Sequence, residues 1–147
     1  MDIHIACDHA GFKVKELLKK QLSSEHHVID LGTNSEESCQ YPHIAIPLCR
    51  EVVHHENGRG ILICGTGIGV SMVANKFQGI RAALCHNKET VKLAREHNNS
   101  NVLCLGARIS DIETIIDIVK IWIETEFEGG RHEERLKIFS HFGSEVD

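Results

Sequence analysis

The stretch ILICGTGIGVSM, residues 61–72, joins a short apolar run to a glycine-rich turn and the start of a second apolar segment. The run Ile61–Cys64 is typical of a strand buried on both faces, and Val70 to Lys76 is typical of the start of a helix. The glycines between them leave backbone N–H groups free to face a ligand. This order predicts an α/β fold with Cys64 at the edge of a binding loop.

The same alternation of strand and helix recurs along the whole chain. Short apolar runs predict five buried strands, and the amphipathic stretches between them predict helices. Parallel strands linked by helical crossovers predict a three-layer αβα sandwich with a five-stranded parallel sheet, a Rossmann-like architecture. The five runs are DIHIAC (2–7), HVIDL (27–31), GILIC (60–64), IRAAL (80–84) and NVLCL (101–105).

Apolar stripes and terminal signals also predict where the later helices lie. One helix is expected from Ile44 to His55. Another is expected to begin with Ser110 and Glu113 as a capping box. A last helix is expected to begin near Arg131, after a pair of glycines that breaks the chain.

Length and charge exclude several classes of protein. A chain of 147 residues predicts one domain spanning residues 1–147. The net charge of −5 argues against nucleic-acid binding, which needs a basic face. No apolar run is long enough to cross a bilayer, and the N-terminus lacks the pattern of a signal peptide. We therefore expect a cytoplasmic protein with neither nucleic acid nor membrane as a partner.

The six cysteines are spread singly along the chain, at positions 7, 39, 49, 64, 85 and 104. Most resemble small buried hydrophobic residues of a reducing compartment. No pair of cysteines or histidines has the spacing of a zinc site, so no metal and no cofactor is expected. Only Cys64 has neighbours that indicate chemistry.

Polar residues gather at the ends of the first, third and fifth predicted strands. These ends carry Asp8-His9, Cys64-Gly65-Thr66 and Arg108. Ligands of open parallel sheets bind beyond the carboxyl ends of the strands, near the point where strand order reverses. The sequence therefore predicts a binding site at this edge.

The glycine loop favours an anion site over two familiar nucleotide motifs. Val70 replaces the third glycine of a dinucleotide fingerprint, and the lysine of a P-loop is missing. Two interpretations remain: a nest of amides for an anion or oxyanion, or a tight turn that needs glycine only for its backbone angles. Cys64 beside it is a nucleophile, a base or a structural thiol.

Other polar residues also have a structural and a functional interpretation. Asp8 caps a helix or orients substrate hydroxyls. His97 interacts with a helix dipole or acts as a general acid–base. Arg131 and Arg135, four residues apart, clamp a dianion or belong to a salt-bridged surface helix.

Taken together, these motifs resemble the type B ribose-5-phosphate isomerases and their galactose-6-phosphate isomerase relatives, nearly from end to end. The resemblance implies an aldose–ketose isomerase that acts on a sugar phosphate without a metal. It also implies that a proton moves between C1 and C2 through a cis-enediolate. Its carriers are CDHAG (7–11), QYP (40–42), ICGTGIG (63–69), ANKFQGIRAA (74–83), EHNNSNVLCLGAR (96–108) and EGGRHEER (128–135).

The resemblance also implies roles for individual residues. Four catalytic residues are implied. Cys64 is the base at carbon, His97 opens the sugar ring, Thr66 passes protons between substrate oxygens, and Asp8 lies near the ring oxygen and hydroxyls. Val70 occupies the position where another branch of the family has a glutamate base, which assigns this chain to the cysteine branch. The implied substrate contacts are Asp8, His9, Tyr41, Gly65, Gly67, Ile68, Gly69, Asn98, Arg108, Arg131, His132 and Arg135.

The implied partners are a small sugar phosphate and a second copy of the chain. The resemblance implies a homodimer or a dimer of dimers with a shared site, in which His97, Asn98 and Arg108 come from the neighbouring subunit. Alternative functions are a hexose 6-phosphate isomerase acting on allose or galactose phosphates, and a non-catalytic sugar-phosphate sensor. A thiol-redox protein is disfavoured because no second cysteine lies close to Cys64 in sequence.

Overall fold

Five parallel strands form the central sheet of the computed structural model, which describes all residues from 1 to 147. The strands are β1 (Asp2–Cys7), β2 (His27–Asp30), β3 (Arg59–Cys64), β4 (Ala82–Leu84) and β5 (Val102–Gly106). Their order is β2-β1-β3-β5-β4, so the sheet confirms the predicted α/β class. Strand order reverses between β1 and β3, which fixes the expected ligand edge at their carboxyl ends.

Six helices connect and cover the strands. They are α1 (Phe12–Leu22), α2 (Tyr41–His54), α3 (Ile68–Ala74), α4 (Lys88–Glu96), α5 (Ile112–Glu124) and α6 (Arg131–Phe139). A short 3₁₀ turn, His9–Gly11, precedes α1. No helix of the chain combines the length and the apolar character needed to cross a bilayer.

The central strand β3 explains the three layers. Ile61, Leu62 and Ile63 are fully buried, and successive side chains point to opposite faces. Ile61 and Ile63 pack into a core with α1, α4 and α5. Leu62 and Cys64 pack into a second core with α2 and α3. Burial on both faces is the reason that this strand is almost continuously apolar.

Two helices begin earlier than the sequence predicts. α2 begins at Tyr41 rather than near Ile44, and the fixed backbone angle of Pro42 in its first turn favours this start. α3 begins at Ile68 rather than Val70. A left-handed glycine directly before Ile68 turns the chain sharply enough to enter the helix two residues sooner.

The predicted capping box at the start of α5 is wrong by one residue. Asp111, not Ser110, is the N-cap, and its carboxylate accepts a hydrogen bond of 2.8 Å from the backbone N–H of Thr114. Asp111 has the extended backbone that a capping residue requires. The accepted bond also lowers the pKa of the Asp111 carboxyl. The predicted fourth strand is shorter as well, because Arg81 donates its backbone N–H to the side chain of Asn101.

Candidate active site

Cys64 is the last residue of β3 and lies at the carboxyl edge of the sheet, beside the point where strand order reverses. The residue is 5% exposed, so the thiol is almost enclosed. The backbone N–H of Gly67 donates a hydrogen bond of 3.1 Å to the sulfur. That bond fixes the sulfur against the glycine loop, as the sequence predicts.

The loop after Cys64 is shaped by its glycines. Gly67 has φ +78°, and a Cβ at this position would lie 2.5 Å from Leu84, so only glycine fits. The backbone N–H groups of Gly65 and Thr66 donate to no group in the chain. The next two N–H groups are paired with side chains, that of Gly67 with Cys64 Sγ and that of Ile68 with Thr66 Oγ1. The loop therefore offers the two unpaired N–H donors of Gly65 and Thr66 close to one thiol.

Thr66 is exposed at the centre of this loop. Its hydroxyl oxygen accepts a hydrogen bond of 3.2 Å from the backbone N–H of Ile68. The hydroxyl proton is then free to be donated outward. Thr66 is thus placed to exchange a proton with a group held over the loop.

Asp8 follows β1 and is 7% exposed. One carboxylate oxygen accepts hydrogen bonds from the backbone N–H groups of Ala10 at 2.9 Å and Gly11 at 3.3 Å. The capping interpretation is therefore correct. The second oxygen has no partner within the chain, and this leaves one acceptor for a ligand.

His9 has a defined tautomer. Its Nδ1 lies 3.2 Å from the backbone N–H of Cys39 and accepts that hydrogen bond. Because Nδ1 supplies a lone pair, the proton of the neutral ring is on Nε2. His9 therefore has a donor at Nε2, which suits an anionic ligand.

Tyr41 and Arg108 close the two sides of the glycine loop. The ring of Tyr41 lies so close to Gly69 that a Cβ there would be 2.7 Å from it. The guanidinium of Arg108 lies over Gly65, where a Cβ would be 3.3 Å from Nη1. Arg108 makes no ion pair within the chain, so its charge is available to a ligand.

A second group of polar residues forms where α4 ends and α6 begins. The rings of His97 and His132 stack at 4.1 Å between centroids, with 12° between their planes. Glu128 Oε2 lies 3.9 Å from Nε2 of His97 and 3.6 Å from Nε2 of His132. Burial lowers the pKa of His132, and the nearby charges of His97 and two arginines act in the same direction.

Arg131 and Arg135 extend this second group along α6, and Asn98 is exposed next to His97. Neither arginine forms an ion pair, although Glu133 and Glu134 are their sequence neighbours. The salt-bridged interpretation of this helix is therefore wrong for the two arginines. The ion pair along α6 instead joins Lys137 to Glu133 at 3.6 Å.

The two groups lie at opposite edges of the sheet. The segment after His97 leads into the amino end of β5, where Gly60 at the start of β3 donates to the carbonyl of Asn101. Gly60 and Cys64 are separated along β3 by about 13 Å, at a strand rise of roughly 3.3 Å per residue. None of the cavities of the chain is lined by Cys64. One chain thus carries two separate groups of polar residues, called below the Cys64 half-site and the His97 half-site.

The grouping of one residue differs from the expectation. The resemblance assigns Arg108 to the same side of a shared site as His97 and Asn98. The structure instead places Arg108 on the Cys64 half-site. The reason is topological, because Arg108 follows the carboxyl end of β5 whereas His97 precedes its amino end.

Glu128 is a residue that the sequence argument misses as a site candidate. Its backbone N–H donates to the carbonyl of Glu96 at 3.0 Å, which holds it beside His97. The available signal was its position four residues before His132, on the approach to α6. A carboxylate facing an imidazole can accept its N–H and so orient the ring.

Comparison with known proteins agrees with this architecture. The sequence matches the family described as Ribose/Galactose Isomerase over residues 3–139. The ribose-5-phosphate isomerase B of Escherichia coli (strain K12) is 43% identical over 136 residues, which are 92% of this chain and 91% of that protein.

Solved structures give the same result. The ribose-5-phosphate isomerase B of Clostridium thermocellum has a TM-score of 0.93 at 42% identity, covering 95% of each chain. That of Mycoplasma genitalium with bound ribulose-5-phosphate has a TM-score of 0.88 at 39% identity, covering 95% of this chain and 93% of that one. This chain is an enzyme of the ribose/galactose isomerase family.

Proposed function

We propose that this enzyme interconverts ribose 5-phosphate and ribulose 5-phosphate by moving a proton between C1 and C2 through a cis-enediolate. The observation that carries the proposal is the Cys64 thiol, held by the N–H of Gly67 beside the unpaired N–H groups of Gly65 and Thr66. The Mycoplasma genitalium relative with bound ribulose-5-phosphate supports the choice of substrate. We also propose that residues 1–147 form a single domain, which carries one copy of each half-site.

The proposed proton transfer uses Cys64 as the base. Its thiolate takes the proton from C2 of the open-chain aldose, and the resulting thiol returns a proton to C1. Negative charge develops on the substrate oxygens, where fixed amide dipoles stabilise the transition state more than the ground state. The hydroxyl of Thr66 passes the second proton between those oxygens. Asp8 and Tyr41 bind the ring oxygen and hydroxyls before opening.

Only two of the six cysteines, Cys39 and Cys64, are suited to the role of the base. Burial raises the pKa of Cys7 and Cys49 to about 12 and that of Cys85 to about 11. Burial also raises the pKa of Cys104. These four thiols therefore stay protonated at neutral pH. Cys39 is the natural control for Cys64, because it is less buried and contacts His9.

Ring opening is assigned to His97, with Glu128 holding its imidazole. Since His97 lies at the opposite edge of the sheet from Cys64, we propose that a second copy of the chain supplies it. Apolar surface beside each half-site supports such a homodimer. Ile68 and Met72 of α3 are 46% and 66% exposed, and Ile138 of α6 is 71% exposed. Asn98 then binds a substrate hydroxyl from the partner.

The phosphate is assigned to the unpaired cations and to His9. The Nε2–H of His9 and the guanidinium of Arg108 lie on the Cys64 half-site, and Arg131 and Arg135 come with the partner's α6. Guanidinium groups match the geometry of phosphate oxygens, and His132 lies between the two arginines in sequence. The phosphate thereby fixes the register of the sugar far from the reacting carbons.

Arg131→Ala and Arg135→Ala are each expected to raise KM for ribose 5-phosphate about tenfold or more, with a smaller change in kcat. The reason is that each guanidinium contacts the phosphate, which does not change charge during the reaction. Steady-state kinetics of both variants check this. Lys137→Ala, on the same helix but paired with Glu133, is the matched control and is expected to leave KM unchanged. A fall in kcat alone would contradict phosphate anchoring.

The proposal is tested by assaying ribose 5-phosphate turnover in EDTA, with allose 6-phosphate and galactose 6-phosphate beside it. We expect metal-independent pentose turnover, because the thiol and the amides supply the base and the charge stabilisation. Turnover of a hexose phosphate alone would keep the mechanism and change the substrate. Binding of the sugar phosphates without any turnover would favour the sensor.

A further inference from the structure

His4, in the middle of β1, is fully buried, yet neither nitrogen of its imidazole has a hydrogen-bond partner. A buried polar group without a partner destabilises the fold, and nearly all such groups in proteins are paired with protein, water or an ion. The side chain lies on the same face as Ala6, toward α2. An unpaired imidazole here therefore indicates a ligand on that side of the sheet.

Two further metal-binding side chains lie beside His4, at the carboxyl end of α2. The rings of His4 and His55 are 4.8 Å apart between centroids. Glu51 lies one helical turn before His55, with its Oε2 3.6 Å from Nδ1 of His55. One ligand atom from each of the three residues lies within 4.8 Å of the other two.

The histidines are in suitable states to bind a metal. Nδ1 of His55 lies 2.8 Å from the backbone carbonyl of Glu51 and donates to it, which leaves the Nε2 lone pair free. Metal-binding histidines commonly donate their other ring N–H to such a carbonyl. Neither ring nitrogen of His4 has a hydrogen-bond partner, so the neutral ring also offers a lone pair. Neutral imidazole is the form that binds metal.

We propose that His4, Glu51 and His55 bind one divalent transition-metal ion, with Zn²⁺ the best fit. Two imidazoles and one carboxylate are a common zinc ligand set, with a water at the fourth position. Because zinc–ligand bonds are about 2.0–2.2 Å long, the three ligand atoms have to move closer together than they are in this structure. Glu51 and His55 have side chains 46% and 41% exposed, so they are free to make that movement.

This proposed zinc site is separate from the active site. It lies on the α2 face of β1 and contains none of the residues assigned to the substrate. A bound ion would fasten the carboxyl end of α2 to the sheet. The amino end of the same helix carries Tyr41, so the ion would also steady that wall of the glycine loop.

The test is a Co²⁺ titration of EDTA-treated protein, followed by visible d–d bands, with Zn²⁺ added to displace the probe. Glu51→Gln and His55→Ala are each expected to weaken the binding of one equivalent of Co²⁺ by about tenfold or more. Both residues are half exposed, so these variants are expected to fold, which circular dichroism checks. The matched controls His54→Ala and Glu56→Gln, next to the site in sequence, are expected to bind as the wild type does.

Zn²⁺ is also expected to raise the thermal unfolding midpoint of the wild type but not of Glu51→Gln, because an ion that binds only the folded state stabilises it. Unchanged Co²⁺ affinity in both site variants would overturn the proposal. A thiolate charge-transfer band, which indicates cysteine ligands, would also overturn it. The proposal would also be overturned if the bound equivalent of Co²⁺ were lost in Glu128→Gln rather than in Glu51→Gln. That result would place the ion between His97 and His132.

Discussion

Cys64→Ala is expected to lower kcat for ribose 5-phosphate by about a thousandfold or more, at the upper end of what removal of a general base does. No other group next to the glycine loop can take a proton from carbon in its place. Asp8 uses one carboxylate oxygen in capping and is assigned to the ring oxygen and hydroxyls with the other, and Val70 has no titratable group. The measurement is steady-state turnover of the purified variant, with substrate affinity followed in parallel by calorimetry.

The alanine variant also loses the hydrogen bond from the N–H of Gly67, which contributes about 1 kcal/mol to stability. Thermal unfolding of the variant therefore has to be measured, so that an unfolded protein is not mistaken for an inactive one. Cys39→Ala is the matched control and is expected to keep most of the turnover. Wild-type turnover by Cys64→Ala would remove the thiol from the mechanism and bring the sensor interpretation forward.

Mixing two inactive variants is expected to restore activity. Cys64→Ala lacks the base, and His97→Ala lacks the ring-opening group on the other half-site. If each active site takes one half from each subunit, a hybrid dimer contains one intact site. Random exchange of subunits then restores about a quarter of wild-type activity for a two-fold symmetric dimer. The measurement is turnover after the two variants are unfolded and refolded together.

The double variant carrying both changes on one chain, mixed with wild type, serves as the control. A hybrid of these two chains has one half-site defective at each active site and is expected to be inactive. Failure of the two single variants to complement each other would place both groups in one subunit. Activity in a form shown to be monomeric by sedimentation would contradict the shared site directly.

Sequence periodicity was sufficient to predict the sheet and the edge that carries Cys64. Buried parallel strands have a strong apolar signal, and the ligand edge of such a sheet follows from topology. The start of α5 was missed by one residue because Ser110 and Asp111 are both good capping residues. Only the backbone conformation distinguishes them.

The separation of the half-sites could not be predicted from periodicity alone. Distance in three dimensions depends on which end of a strand a loop joins, and this is why Arg108 and His97 lie apart. Glu128 was missed for a similar reason, because a loop before α6 has no periodic signal. The cluster around His4 escaped notice because its ligands come from a strand and a distant helix, whereas zinc patterns rely on closely spaced residues.

The unpaired arginines have a consequence for how the substrate arrives. The chain carries a net charge of −5, so at long range it repels a phosphate dianion. In the proposed dimer Arg108 meets the partner's Arg131 and Arg135, and their attraction acts only within about 8 Å at physiological ionic strength, the distance over which salt screens exposed charges. Encounter is therefore governed by a small positive area on an otherwise repulsive surface. That arrangement rejects polyanions too large to fit the area while still admitting a single sugar phosphate.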